Sequence, residues 1–496
     1  MAKKYPDTFY NPLSIIGSVV ALISFVSLIF LFLIGIFIPQ TPVYFGIVTF
    51  LILPVFLVIG LLMIIIGIIF ERRRRIRGGE VRHFINVDFN NPRHRRGTLI
   101  FIIVVVVFML SSAFGSYQAF EYSESVEFCG KVCHEVMEPE YSAYQTSPHA
   151  RVKCAECHIG QGADWFVKSK ISGAYQVYSV LFNKYSKPIS TPIKDLRPAQ
   201  ETCERCHWPQ YFFTESKKQK TYFKKDEVNT PWTISLLMKI GGGSPEMGPT
   251  AGIHWHMNIM QDIEYIADDA ARQEIVYVKT TDHQNNVTEY FITDNPLTHT
   301  EVEARKKFKV DCIDCHNRPS HVYKPPTSAV DLAMYLKHID PTLPYIKKIG
   351  VEALSYNYST KEKALDSIRY IIENYYGSEY KEIAFTRSEI IKKAVLEVQK
   401  IYSRNFFPSM QVTWRAYPEN ISHMNNPGCF RCHNGKLVSP LGKPITKDCN
   451  SCHTILYQGS ELSPKTLTTT GLEFQHPEDI GDEWKTTNCN ECHTGE

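Results

Sequence analysis

A chain of 496 residues and 57.0 kDa is too long for one ordinary domain, and its formal charge of +3 averages opposites. The N-terminal dozen residues carry +1, segment 71–97 carries +6 from nine Arg against Glu71, Glu80 and Asp88, and everything from Glu121 onward carries −4. No charged residue stands between Asp7 and Glu71 or from Gly97 to Phe120, which excludes a wholly cytosolic protein, and the acidic remainder argues against a nucleic-acid partner.

Residues 1–12 precede two apolar runs, Leu13–Pro39 and Val43–Phe70, that fill 13–70. Each exceeds the roughly 20 helical residues needed to cross ~30 Å of hydrocarbon. The first is too long for a cleavable signal peptide, and the second crosses directly after it. Pro54 predicts a kink in the second helix, which packing against neighbours tolerates. A third crossing is expected over 98–120. The linker Gln40–Pro42 is short and uncharged, whereas loop 71–97 is Arg-rich. The positive-inside rule therefore places that loop and the N-terminus in the cytoplasm, and the rest of the chain from 121 outside.

The cysteines carry the strongest signal. All 14 fall in close pairs: Cys129/Cys133, Cys154/Cys157, Cys203/Cys206, Cys312/Cys315, Cys429/Cys432, Cys449/Cys452 and Cys489/Cys492. A His follows the second Cys each time: His134, His158, His207, His316, His433, His453 and His493. Six pairs read C-x-x-C-H, the signature of covalent c-type haem attachment; the first, Cys129-Gly-Lys-Val-Cys133-His134, has one extra residue. Chance at this composition supplies about 0.01 such motifs in the chain. Two thiols a turn apart form thioethers to the two vinyl groups at one porphyrin edge, and the adjacent imidazole reaches the iron as proximal ligand. Zinc would take the pairs two at a time, and a disulfide framework would need no His, so both explain less. Bacterial c-type haem is attached outside the inner membrane, on the side where the arginines already place these motifs.

The outer part divides into a triple-haem region at 121–210, a single-haem region at 211–345, a helical segment at 346–420 and a second triple-haem region at 421–496. With about 54 residues per haem, such a domain is expected to be built around its porphyrins rather than a large side-chain core. Glu274–Asp294 alternates apolar and polar residues around an Asn-containing turn and reads as a β-hairpin. Thr360–Tyr376 and Thr386–Asn405 have helical periodicity, each starting on a capping residue. The fold class is a membrane-anchored multihaem cytochrome c with three N-terminal transmembrane helices. The haem domain is mainly α, with little regular structure and a small β-hairpin insertion.

A low-spin electron-transfer haem needs a second axial ligand, most often His or Met. Of 18 histidines, seven are proximal and His83 and His94 lie in the cytoplasmic loop. Nine remain: His149, His254, His256, His283, His299, His321, His338, His423 and His476. Nine spare imidazoles for seven irons match a mostly bis-His protein. His283 falls in the hairpin turn and is expected to face solvent, which leaves the other eight as distal candidates. Met137, three residues after His134, is a candidate for the first iron or a core residue against it.

Cys129–His134, Met137, His149, Cys154–His158 and the run Asp195-Leu-Arg-Pro-Ala-Gln-Glu-Thr-Cys203-Glu-Arg-Cys206-His207-Trp-Pro, behind a membrane anchor, resemble the NapC/NirT family of quinol-oxidising inner-membrane cytochromes. The whole chain, with three spans, seven haems and Gly252–Met257, is similar to the heptahaem inner-membrane cytochromes of metal-respiring bacteria. The resemblance implies that the haem nearest the membrane accepts electrons from menaquinol. It also implies that Met137, Lys168 or Lys170, and Asp164 as proton acceptor, form the quinol end, and that His149 serves a haem other than its neighbour. The chain departs from the family pattern in its extra motif residue and in a Met three rather than two positions past the His.

Only nine residues separate Ala119 from Cys129, so the first haem is expected at the outer membrane surface, within reach of a lipid-soluble donor. Quinol oxidation releases two protons and two electrons while each iron takes one electron, so the site needs a polar proton acceptor; Asp164, Lys168 and Lys170 are the candidates. The reading is a multi-pass inner-membrane quinol dehydrogenase with its haem domain in the periplasm, feeding periplasmic c-type cytochromes from the quinol pool. A quinol:cytochrome c oxidoreductase type of electron transfer follows, with room for a partner subunit or a second copy of the chain. The acidic outer part favours a basic soluble cytochrome as partner. Two other classes compete: a terminal reductase or oxidase of nitrite or hydroxylamine, which needs an iron with an open site and here lacks a C-x-x-C-K motif, and a haem-based sensor or assembly subunit, for which no signalling domain is apparent.

Overall fold

The computed structural model describes residues 7–9, 11–37, 52–78, 89–160, 163–193, 197–208, 212, 215–241, 252–257, 261–282, 284–460, 468 and 470–496. The linker Gln40–Pro42, the first part of the second expected span, His83 and His283 lie outside these residues, as do the side chains of His134 and Asp164. The chain divides into two compact units, Met1–Ser123 with Ile159–Ala174, and Glu124–His158 with Tyr175–Glu496.

In the first unit, α1 (Pro12–Phe37) and α2 (Leu53–Ile76) are long and apolar enough to cross a membrane. They approach through small residues. A Cβ on Gly17 would meet the Gly60 carbonyl oxygen at 2.6 Å, and one on Gly60 would meet the Ala21 nitrogen at 2.7 Å. Ser14 donates to the Ile64 carbonyl at 3.0 Å across the same seam. Pro54 lies in the first described turn of α2, where its missing N–H removes no described helical bond. α3 (Pro92–Ser123) is one continuous helix that contains the third apolar run.

The second unit is mainly helical with two small sheets. It also holds a side-chain core that the residue-per-haem arithmetic did not anticipate. The long motif-free stretch after His316 concentrates apolar residues into α5 (Pro326–Tyr335), α6 (Ile346–Ser355), α7 (Lys361–Glu379) and α8 (Ser388–Asn405). Ile339, Leu343, Leu354, Ile368, Ile372, Tyr376 and Met410 are fully buried there, and Val136 and Ala143 from α4 (His134–Gln145) join them. The apolar positions of α7 and α8 recur at helical spacing, which is why these two pack face to face. Thr360 caps α7 by accepting from the Lys363 amide at 3.3 Å. Thr386 does not cap α8: its hydroxyl donates back to the Glu382 carbonyl at 2.8 Å and closes the short helix Lys381–Thr386 instead.

Strands β1 (Glu215–Phe223) and β2 (Pro231–Lys239) pair antiparallel and are completed by β8 (His453–Gly459). The sequence concealed β1 because ESKKQKTYF lacks strict alternation; its lysines sit on a sheet edge, where charge blocks further pairing. In the other sheet, β3 (Gln261–Ala267), β4 (Ile275–Asp282), β5 (Val287–Ile292), β6 (Phe308–Lys309) and β7 (Leu437–Val438) take the order β6-β3-β4-β5-β7. β4 and β5 pair Tyr277 with Phe291 and Thr281 with Val287, as the middle of five strands rather than as a separate insertion. β7 follows the fifth motif and β8 begins at His453 of the sixth, so the sheets fix where these motifs stand.

Candidate functional site

Each motif forms a single tight turn. The amides of His207, His316, His433 and His493 donate to the carbonyls of Cys203, Cys312, Cys429 and Cys489 at 2.8–2.9 Å, so both thiols and the imidazole leave one turn. Asp311 caps the fourth turn by accepting from the Cys312 amide at 2.6 Å, while the Asp314 carboxylate accepts from the Asp311 amide at 2.7 Å; at the seventh, the Glu491 carboxylate accepts from the Asn488 side-chain amide at 2.9 Å. The extra residue of the first motif is absorbed by a π-helical turn, Phe128–Val132, which is wider by one residue. Gly130 lies against the Tyr141 ring, and a Cβ there would overlap it.

The fourteen cysteines are not equally covered. Cys157, Cys206, Cys449 and Cys492 are exposed, whereas the other ten are half-buried. Cys492 ends the short helix Cys489–Cys492, which buries none of its residues, so side chains of the protein do not enclose the second thiol of the seventh motif. A cysteine kept for packing alone is usually buried as a small apolar group. The exposure of Cys492 departs from that habit and suits a thiol whose partner is a porphyrin edge rather than neighbouring side chains.

The thiols of successive motifs are neighbours. Cys154 hydrogen-bonds with Cys129, and that bond, together with burial, pushes its thiol well up. Elsewhere burial raises the thiols first and a thiol of the adjoining motif adds to it: Cys157 feels Cys203, Cys312 feels Cys203, Cys315 feels Cys429, Cys452 feels Cys429, and Cys489 feels Cys449. First to seventh, the motifs follow one another in space as they do in sequence.

Six motif histidines face a second imidazole drawn from elsewhere in the chain. Ring centroids lie 6.0 Å apart for His149 and His207, 6.3 Å for His158 and His321, 6.4 Å for His254 and His316, and 5.8 Å for His256 and His433. His423 and His453 lie 6.3 Å apart, and His476 and His493 5.9 Å. Two imidazoles on opposite sides of one transition metal, each at about 2.0–2.1 Å, have centroids roughly 6 Å apart. The Nδ1 atoms of His149, His254, His256, His321 and His433 meet the backbone carbonyls of Pro319, Ile240, Ile253, Glu140 and Thr446 at 2.7–3.3 Å. A carbonyl only accepts, so Nδ1 carries the hydrogen and Nε2 presents its lone pair to a metal. Burial lowers the pKa of His158, His254, His316, His321, His433, His453 and His493 and brings His423 to about 4, which keeps these rings neutral.

Other candidates stand apart from these pairs. His299 meets Phe291 edge-on at 6.0 Å, and His338 faces the Glu397 carboxylate at 3.7 Å with a 58% exposed side chain. Met137 is half-buried on α4. Lys168 and Lys170 are exposed on the helix Ala163–Leu181, Lys168 lying 4.6 Å over the Trp165 ring. Beside the first motif, a cavity of about 380 Å³ is lined by Glu127, Tyr141, Tyr144, Gln145 and Lys153 among others.

Sequence reasoning missed the polar residues that join motifs. Asp314, inside the fourth motif, accepts from the Tyr265 hydroxyl at 2.5 Å, and its backbone carbonyl accepts from Arg431 of the fifth motif at 2.6 Å. The Glu140 carboxylate lies 3.0 Å from His321 Nδ1 and is bound through both oxygens by Arg318 at 2.9 and 3.0 Å. Neither network follows a spacing rule that a single sequence would reveal.

Comparison with known proteins gives the family. Residues 91–230 match the N-terminal region of the NapC/NirT cytochrome c family. The chain is 42% identical over 493 residues to "Cytochrome c-type protein ImcH" of Geobacter sulfurreducens, covering 99% of this chain and 96% of that protein. The chain belongs to the NapC/NirT cytochrome c family. No solved structure matches it. Like its family, this NapC/NirT cytochrome is a membrane-anchored multihaem electron carrier. Paired thiols on one turn, an adjoining neutral imidazole and a second imidazole about 6 Å beyond fit covalent haem c, which supplies one-electron redox chemistry at its iron.

Proposed function

We propose that this cytochrome is a quinol dehydrogenase of the bacterial inner membrane that takes electrons from menaquinol and passes them through seven haems c to periplasmic acceptors. The observation that carries the reading is the set of six histidine pairs at 5.8–6.4 Å along motifs that are neighbours in sequence order. Bis-imidazole coordination closes an iron to substrate and suits it to electron transfer, so six such sites support a conduit and weigh against a terminal nitrite or hydroxylamine reductase.

In this reading His134, His158, His207, His316, His433, His453 and His493 are the proximal ligands. His321, His149, His254, His256, His423 and His476 are the distal ligands of the second to seventh haems. The first haem has no such imidazole assigned and leaves Met137 as its candidate. Its position beside the donor follows from the short link to α3, which serves as the third span in a chain whose basic loop is cytoplasmic. Ile171, Tyr175, Val177 and Leu181 expose an apolar surface on the helix that carries Asp164, Lys168 and Lys170, which supports a place at the lipid boundary for the quinol head group. Asp164 receives protons, and Lys168 or Lys170 orients the head group. Glu127 and Lys153, in the cavity beside the first motif, are a second set of polar groups for the same task.

Anaerobic addition of a menaquinol analogue to the detergent-solubilised holoprotein tests this, with haem reduction followed by absorbance. Reduction by the quinol supports the assignment. No reduction by quinol, together with consumption of nitrite or hydroxylamine from an artificial donor, transfers the protein to the terminal-reductase class.

A further inference from the structure

The histidine pairs are anchored differently, and Nδ1 of His423 and of His453 meets no hydrogen-bond partner among the described residues. His149, His254, His256 and His433 place Nδ1 on a backbone carbonyl. His321 meets both the Glu140 carbonyl and the Glu140 carboxylate, each at 3.0 Å. That carboxylate is half-buried and gripped by the largely buried guanidinium of Arg318, whose Nε also donates to the His321 carbonyl at 2.7 Å. Arg318 is fixed in turn over the rings of Tyr323 and Tyr417, at 5.2 and 4.2 Å. Glu140 belongs to α4, the helix that begins at His134, so one helix carries the proximal ligand of the first motif and the acid that holds the partner of His158.

We propose that Glu140 is a charge-tuning residue for the second haem: its backbone carbonyl holds His321 toward the iron, and its carboxylate depresses the reduction potential of that haem. With Nδ1–H given to the Glu140 carbonyl, the carboxylate acts on the ring by its charge from 3.0 Å, which stabilises the ferric over the ferrous state. Arg318 aims the carboxylate and balances its charge, so the two side chains act on the haem with opposite sign. The second haem is thereby held low, next to the site where electrons arrive.

The inference rests on His158 and His321 sharing one iron, and the test separates the two claims. His321→Ala in the full-length holoprotein should convert one haem to high spin; if it does not, the ligand assignment fails. With that established, Glu140→Gln removes the carboxylate and leaves Arg318 uncompensated, while Arg318→Gln does the reverse. In a spectroelectrochemical titration, Glu140→Gln should raise one component by about tenfold in its reduction equilibrium, or 59 mV for one electron. Arg318→Gln should lower the same component, with the remaining components unmoved and all haems low-spin. If Glu140→Gln loses a haem, Glu140→Asp takes its place and should raise that component by a smaller step. Unmoved potentials, shifts of the same sign in both variants, or a high-spin signal in the Glu140 variant would overturn the proposal, the last because Glu140 would then only hold the ligand in place.

Discussion

His254 and His256, two positions apart on the short turn Ile253–Met257, face different motif histidines. His254 lies nearly parallel to His316 at 6.4 Å with 5° between the rings, whereas His256 meets His433 at 5.8 Å and 84°. One turn of backbone thus serves the fourth and fifth motifs at once, and each Nδ1 is held by a nearby carbonyl. His254→Ala is expected to leave one haem high-spin, His256→Ala a different one, and the double variant two. Electronic absorption in the charge-transfer region counts them; a double variant with only one high-spin haem would mean the two imidazoles share a target.

Four of the six pairs fall into two groups by ring plane, with His476/His493 at 39° and His158/His321 at 52° between them. His149/His207 and His256/His433 are close to perpendicular at 79° and 84°, while His254/His316 and His423/His453 are close to parallel at 5° and 23°. Perpendicular imidazole planes bring the iron d orbitals that share the unpaired electron near degeneracy, which increases g anisotropy. Low-temperature EPR of the oxidised protein should therefore contain both a strongly anisotropic and an ordinary rhombic low-spin class. A spectrum with one class alone would contradict these orientations.

Lys347 and Asp331 form a buried pair at 2.6 Å, with side chains 3% and 9% exposed, in the helical core built from the motif-free stretch. Asp331 also accepts from the Phe223 amide at 2.9 Å and so ties β1 to α5. Removing one partner leaves an uncompensated buried charge. Lys347→Met should destabilise this region by about 3–5 kcal/mol, and Lys347→Met with Asp331→Leu should recover most of it. Thermal unfolding followed by far-UV circular dichroism measures both.

Asp340 gives a pH signature. Burial pushes its carboxyl up, but the Thr342 amide and hydroxyl and the Arg387 guanidinium outweigh that and hold it below the ordinary 3.8. Its stabilising contribution is fully present above the unfolded value of 3.8 and is lost as the pH falls through the depressed folded value. Asp340→Asn should lower stability at pH 7 by less than about 1 kcal/mol and flatten the loss below pH 4. Thermal midpoints at pH 7 and pH 3 check the sign.

What the sequence made legible were features with a local chemical rule. The Cys-Cys-His turns, the apolar runs of α1 and α2 and the periodicity of α7 and α8 are of this kind. The spare-histidine count was informative for the same reason, since it needed only a ratio of imidazoles to irons. The partners of those imidazoles were not legible, because His149 reaches past its own neighbour to His207 and His321 reaches back to His158. Nor did the motifs foretell that Cys492 would be exposed while Cys489 is half-buried, since identical spacing says nothing of what covers each thiol. Strand β1 was concealed by its edge lysines, and Glu140 by lying on a helix whose periodicity reports only burial. Tertiary contact decided each of these, and a single sequence carries no pairing signal for it.

Intact mass spectrometry of the purified full chain tests the central claim most directly. The expected mass is that of the 57.0 kDa polypeptide plus seven covalently attached haems, including one on the Cys129/Cys133 π-turn and one on the Cys489/Cys492 turn. A uniform species carrying six or fewer would contradict it.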